Sequence, residues 1–82
     1  MTAEEIFAIL RSNVLEILPD TDADTIVPGA DLGDLGANSL DRVDILAGTL
    51  DTLGLDGQAS KFAGITELGT LTKSLLSAGG WA

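Results

Sequence analysis

One hydroxyl and a handful of carboxylates carry the chemistry that this sequence offers. Ser39 stands in Gly36-Ala37-Asn38-Ser39-Leu40-Asp41-Arg42-Val43-Asp44, where a polar, glycine-punctuated loop gives way to a helical apolar pattern. A serine at a helix start supports two readings. Its oxygen accepts a hydrogen bond from a first-turn N–H as an N-cap, which is a purely structural role. The same place suits a phosphate, because unpaired N–H groups and the positive end of the helix dipole both face it. Asp41 and Asp44 are favoured near the same helix start by a few tenths to about one kcal/mol each, with no function required.

The other acidic group is Asp20-Thr21-Asp22-Ala23-Asp24, with Asp31 at the twelfth position of a calcium-loop-like register. The register fails on physical grounds. Thr25 stands where the sharp turn needs glycine, Asp31 replaces the bidentate glutamate, and Pro28-Gly29 interrupts the segment that should lead into an exit helix. A solvated acidic loop is expected there, with no metal. The chain has no Cys, His or Tyr. It therefore lacks both an intrinsic thiol and a side chain that exchanges protons near neutral pH. Carboxylates acting as acid and base need a pocket that raises a pKa, and a domain of this size rarely encloses one. An enzyme is not expected.

The 82 residues make one domain, with residues 1–78 forming it and 79–82 a flexible tail. Hydrophobic residues make up 45% of the chain but aromatics only 4%. The core must be aliphatic, with Phe7 and Phe62 as its large members, and that favours a small helical bundle. Thirteen acidic residues against four basic ones give a net charge of -9, which repels nucleic acid and anionic membranes. Partners presenting Lys or Arg suit such a surface. No stretch approaches the run of roughly 20 apolar residues that spans a bilayer. The first residues, Met1-Thr2-Ala3-Glu4-Glu5, are acidic where a secretory signal is basic. A cytoplasmic monomer is expected.

Four helices and a long loop must position Ser39. Thr2 and Glu5 form a capping-box pattern ahead of Ile6, Phe7, Leu10, Val14, Ile17 and Leu18, which predicts a helix from Ala3 to Leu18 closed by Pro19. Pro19 to Asn38 is a loop of 20 residues, too long to join helices casually, so it must be anchored or functional. Ile26, Val27, Leu32 and Leu35 are its candidate anchors. The second helix is predicted from Leu40 to Leu53 and ends at Gly54, with Val43, Leu46, Leu50 and Leu53 inward and Ile45 and Thr49 widening the stripe. Leu40 falls off that stripe and is expected to be exposed. With Asp44 and Ala47 it makes an acidic strip with an apolar centre beside Ser39, in which Arg42 is the exception and Gly48 flattens the surface. Gln58 to Ala63 predicts a short helix around a core-plugging Phe62. Thr66 is expected to cap a last helix over Glu67 to Ser77, with Leu68, Leu71, Leu75 and Leu76 inward. Trp81 in the tail reads as a surface residue.

Asp34-Leu35-Gly36-Ala37-Asn38-Ser39-Leu40-Asp41 closely resembles the attachment motif of the acyl carrier proteins, and the resemblance runs from Glu4 to Leu76 in helix order and loop length. It implies an all-α, four-helix bundle with three longer helices, a short third helix and a long loop between helices 1 and 2. It further implies that Ser39 receives 4′-phosphopantetheine from coenzyme A, that the arm supplies the missing thiol for acyl thioesters, and that partner enzymes read the strip of Asn38, Leu40, Asp41, Arg42, Asp44 and Ala47. The partners so implied are a phosphopantetheinyl transferase and acyltransferase, ketosynthase-like or hydroxymethylglutaryl-synthase-like enzymes. Asn38 departs from the family, which usually has Asp there, and this bears on recognition by a given transferase. Residues 36–44 and Lys61-Phe62-Ala63-Gly64-Ile65 look more like the discrete carriers of bacterial polyketide pathways than the fatty-acid carrier. In particular they resemble acetyl donors for β-branching, although Gly57 stands where those often have proline. An unmodified acidic interaction module, with Ser39 as a plain N-cap, and a fatty-acid-synthesis carrier are the alternatives.

Overall fold

A computed structural model of the chain describes residues 1–81. Among them are three α-helices: α1 (Ala3–Ile17), α2 (Ser39–Leu53) and α3 (Leu68–Ala78). Helix α1 is the hub, packing against both α2 and α3. It starts on the predicted capping box, in which Glu5 N–H donates to Thr2 Oγ1 at 3.2 Å and Thr2 N–H donates to Glu5 Oε1 at 2.9 Å. It ends one residue before the predicted Leu18, whose backbone leaves the helical region ahead of Pro19. Ile6, Leu10 and Val14, at the i, i+4, i+8 spacing of one face, are fully buried and form its share of the core.

The long connection is ordered by three buried anchors, Ile26, Leu32 and Ala37. A 3₁₀ turn at Ala23–Thr25 is capped by Asp22, whose carboxylate accepts from Asp24 N–H at 3.0 Å, so one of the acidic residues of the calcium-like register has a local structural role. Arg11 of α1 is half-buried rather than confined to the polar side, and its Nη2 donates to the Ala23 carbonyl at 3.2 Å, tying the loop to the bundle. Val27, expected to anchor the loop, is instead 47% exposed. Ile26 takes the inward direction, and in non-helical, extended chain the next side chain points the other way.

The bundle differs from the expectation in three further places. The short third helix is a single 3₁₀ turn at Ala59–Lys61, in which Lys61 and Phe62 N–H donate back to Gln58 and Ala59. Gly57 and Gly64 bracket too few residues for the costly first turns of an α-helix to be followed by propagation. Phe62 is nevertheless buried, as predicted. Leu76, placed inward, is half-buried, and Thr72 takes the buried position with its hydroxyl donating to Leu68 O at 2.8 Å. In the tail, Trp81 is half-buried and packs against the core, and Ala82 lies outside the described residues.

Candidate functional site

The loop reaches α2 through Gly36, whose φ of 97° lies in the left-handed region that favours glycine, and then through buried Ala37. The N-cap of α2 is Asn38, not Ser39. Asn38 Oδ1 accepts from Asp41 N–H at 2.8 Å, and Asp41 Oδ2 accepts in return from Asn38 N–H at 3.1 Å, a reciprocal capping box. Sequence pattern puts the cap one residue late because Asn and Ser are both favoured caps, and only the backbone conformation distinguishes them.

Ser39 is therefore the first helical residue, exposed, with its hydroxyl released from capping. Its Oγ accepts a hydrogen bond from Arg42 Nη2 at 3.3 Å. The backbone N–H groups of Ser39 and Leu40 have no protein acceptor among the described residues. One oxygen thus sits beside two open donors, a helix N-terminus and a guanidinium, an arrangement that favours negative charge.

Ser39 and Arg42 line a groove of about 510 Å³ between α2 and the segment 59–66. Val43, Leu46 and Ala47 line it on the α2 side, and Phe62 and Ile65 line it opposite. Val43, predicted to face the core, is 61% exposed because it looks into this groove, while Ile45, Leu46, Thr49, Leu50 and Leu53 make the buried face. The signal available in sequence for the groove is the run of small residues Ala59, Ser60, Ala63 and Gly64, which cannot fill the space in front of Val43.

The six residues assigned to the recognition strip do not share one environment. Leu40, at 69% exposure, and Asp44 lie on the outer surface of α2, away from the groove lining. Arg42 and Ala47 belong to the groove, and Asn38 and Asp41 are engaged in the cap. Gly48 does not flatten the strip. It faces α1, where a Cβ would meet the Asn13 side chain.

The far wall of the groove is held by the loop between α1 and α2. Thr66 does not cap α3; its hydroxyl donates to Asp31 Oδ2 at 2.6 Å. Leu32 N–H donates to Thr66 O, Leu68 N–H to Ala30 O at 2.9 Å and Gly69 N–H to Pro28 O at 2.6 Å. The Thr66 hydroxyl first, and then the Gly33 N–H, hold the Asp31 carboxyl below its ordinary range, with a smaller contribution from the charge of Arg42 against a desolvation that raises it.

Comparison with known proteins decides the family. Over 75 residues, 92% of this chain and 92% of the relative, the sequence is 33% identical to the polyketide biosynthesis acyl-carrier-protein AcpK of Bacillus subtilis (strain 168). The chain belongs to the acyl carrier protein family. No family model and no solved structure matches it. Acyl carrier proteins are carriers rather than catalysts, and this carrier accordingly is not an enzyme. No helix of the described residues is long and apolar enough to cross a membrane, and no group of His, Cys, Asp or Glu among them is arranged to hold a metal ion.

The prosthetic group of the family, 4′-phosphopantetheine, can be tested against these residues. The Ser39 hydroxyl is exposed and uncommitted to the cap, two N–H donors and a guanidinium stand beside it, and an apolar-lined groove opens next to it. The residues present fit a phosphodiester at Ser39.

Proposed function

We propose that this carrier holds acyl groups as thioesters on a 4′-phosphopantetheine arm attached to Ser39 and presents them to the enzymes of a polyketide pathway. The observation that carries the reading is the division of labour at the start of α2: Asn38 caps the helix, leaving the Ser39 hydroxyl exposed at its first turn. The group, when bound, supplies the thiol that the chain lacks. Ser39 is the point of attachment, and Arg42 and the open N–H groups of Ser39 and Leu40 favour the negative charge there. A flexible arm raises the effective concentration of its cargo at a docked active site without new protein contacts.

Partners fall within the same reading. A phosphopantetheinyl transferase loads the arm, and acyltransferase, ketosynthase-like or hydroxymethylglutaryl-synthase-like enzymes use it. These enzymes read Leu40 and Asp44 on the outer surface of α2 and Ala47 at the groove. The polyketide assignment is supported by the name of the relative from Bacillus subtilis. The narrower role, donation of an acetyl unit for β-branching, is supported by residues 36–44 and 61–65, which resemble such carriers.

The test is loading. Incubation with coenzyme A, magnesium and a broad-specificity phosphopantetheinyl transferase adds the mass of one arm to the wild-type protein and none to Ser39→Ala. An unchanged mass for the wild type, or a gain that persists in Ser39→Ala, refutes the assignment.

A further inference from the structure

We propose that Arg42 is the positioning residue for the phosphodiester of the arm: its guanidinium, hydrogen-bonded to Ser39 Oγ before modification, pairs with the phosphate afterwards and holds the base of the arm beside the groove. The proposal rests on attachment at Ser39. Arg42 is one of only four basic residues in a chain of net charge -9. Its side chain makes a single hydrogen bond among the described residues, and that bond is the 3.3 Å contact with Ser39 Oγ. Of the nearby carboxylates, Asp41 accepts from Asn38 N–H and Asp31 from Thr66 and Gly33, and neither is hydrogen-bonded to Arg42, although its charge acts on Asp31.

The neutrality of Asn38 matters to the same contact. Asn38 is the N-cap, outside α2 and next to Ser39, so an acidic side chain there would bring a negative charge beside the oxygen that Arg42 contacts. An aspartate at 38 would cap the helix equally well and also compete for Arg42. Asparagine keeps the cap and leaves the cation available. A guanidinium is suited to holding a phosphodiester, because its planar fork matches phosphate oxygens in a way that an ammonium does not. Arg42 also lines the groove beside Val43, so a phosphate paired with it is drawn towards the groove rather than towards the outer surface that carries Leu40 and Asp44.

The experiment compares loaded wild-type, R42Q, R42K, N38D and K73Q proteins, each verified by intact mass, using the ³¹P resonance of the phosphodiester and the Arg42 Nε–Hε cross-peak. The cross-peak is expected to move between unloaded and loaded wild type. The ³¹P resonance should shift in R42Q, shift less in R42K, and stay in place in K73Q, which removes the same charge from α3. N38D should move it in the direction of R42Q while keeping the helix capped, so the test survives a failure of R42Q to fold. In about 1 M salt, where the screening length is ~3 Å, the difference between wild type and R42Q should shrink. A ³¹P resonance common to loaded wild type, R42K and N38D, with an unmoved Arg42 cross-peak, overturns the proposal while attachment stands. A wild-type sample that never gains the mass of the arm removes attachment itself, and the proposal with it.

Discussion

Helices α2 and α3 begin in opposite ways. At α2 the first turn is completed locally, by the side chains of Asn38 and Asp41. At α3 the N-cap position, Glu67, makes no side-chain cap, and the first N–H groups donate instead to carbonyls of the distant loop, Leu68 to Ala30 and Gly69 to Pro28. Both solutions answer the same need, because the first N–H groups of a helix have no partner within it. The difference is in what each leaves free. A local cap sits to one side of the helix end and leaves Ser39 and two N–H donors open to solvent. A tertiary clasp covers the helix end, and at α3 the covering loop also fixes the wall of the groove.

The largest effect expected from breaking this contrast is at the clasp. A Cβ at position 69 would lie 2.8 Å from Pro28 O and 3.3 Å from its Cβ, so Gly69→Ala forces backbone apart. A loss of about 1–3 kcal/mol is expected, read as a fall in Tm of at least ~4 °C. Gly48→Ala is the control. Its new methyl group meets the Asn13 side chain and no backbone, so Asn13 must turn and give up its 2.9 Å hydrogen bond to Ile9 O, a cost that removal of a mid-helix glycine offsets by about 0.5–1 kcal/mol. Equal Tm values for the two variants would show that the carbonyls of Pro28 and Ala30 do not constrain α3.

At the local cap a smaller effect is expected, and it separates two adjacent residues. Asn38→Ala should cost about 0.5–2 kcal/mol by urea unfolding, whereas Ser39→Ala, which touches no capping bond, should stay within about 0.5 kcal/mol of wild type. If Ser39→Ala proved as costly as Asn38→Ala, the hydroxyl would be part of the cap after all.

The smallest effect is confined to acid. Asp31 is held below its ordinary value of 3.8, first by the Thr66 hydroxyl, so its ionised form favours the folded state. That contribution is present above pH 3.8 and is lost as pH falls below it through the depressed folded-state value. Thr66→Val removes the main cause. Unfolding curves between about pH 5 and pH 3 should show the variant less stable than wild type at the upper end and less sensitive to acid at the lower. Parallel pH profiles would mean that Asp31 does not hold the clasp.

Much of this molecule is legible in its sequence. The capping box of Thr2 and Glu5, the end of α1 before Pro19, Gly54 in the left-handed conformation at the end of α2, and the exposure of Leu40 all depend on residues within a few positions of one another. The motif around Ser39 is legible for the same reason. Val43 is misplaced by its periodicity because helical spacing says which residues share a face but not whether another element covers it. Facing Val43 is a segment of small residues that leaves a groove. Thr66 reads as a cap because a favoured capping residue directly before a helix is indistinguishable, in sequence, from one whose hydroxyl is taken by an aspartate 35 positions away.

The sequence by itself determined the helices, the acidic surface, the absence of a thiol and the placing of Ser39 at a helix start, since each depends on composition or on neighbours along the chain. The structure decided that Asn38 and not Ser39 caps α2 and that Arg42 reaches the serine oxygen, and only its tertiary packing decided that a groove opens beside them. The distance between α2 and the 59–66 segment is set by how the bundle packs, whereas the cap and the Arg42 contact join residues three apart, for which the sequence leaves more than one cap and more than one rotamer open.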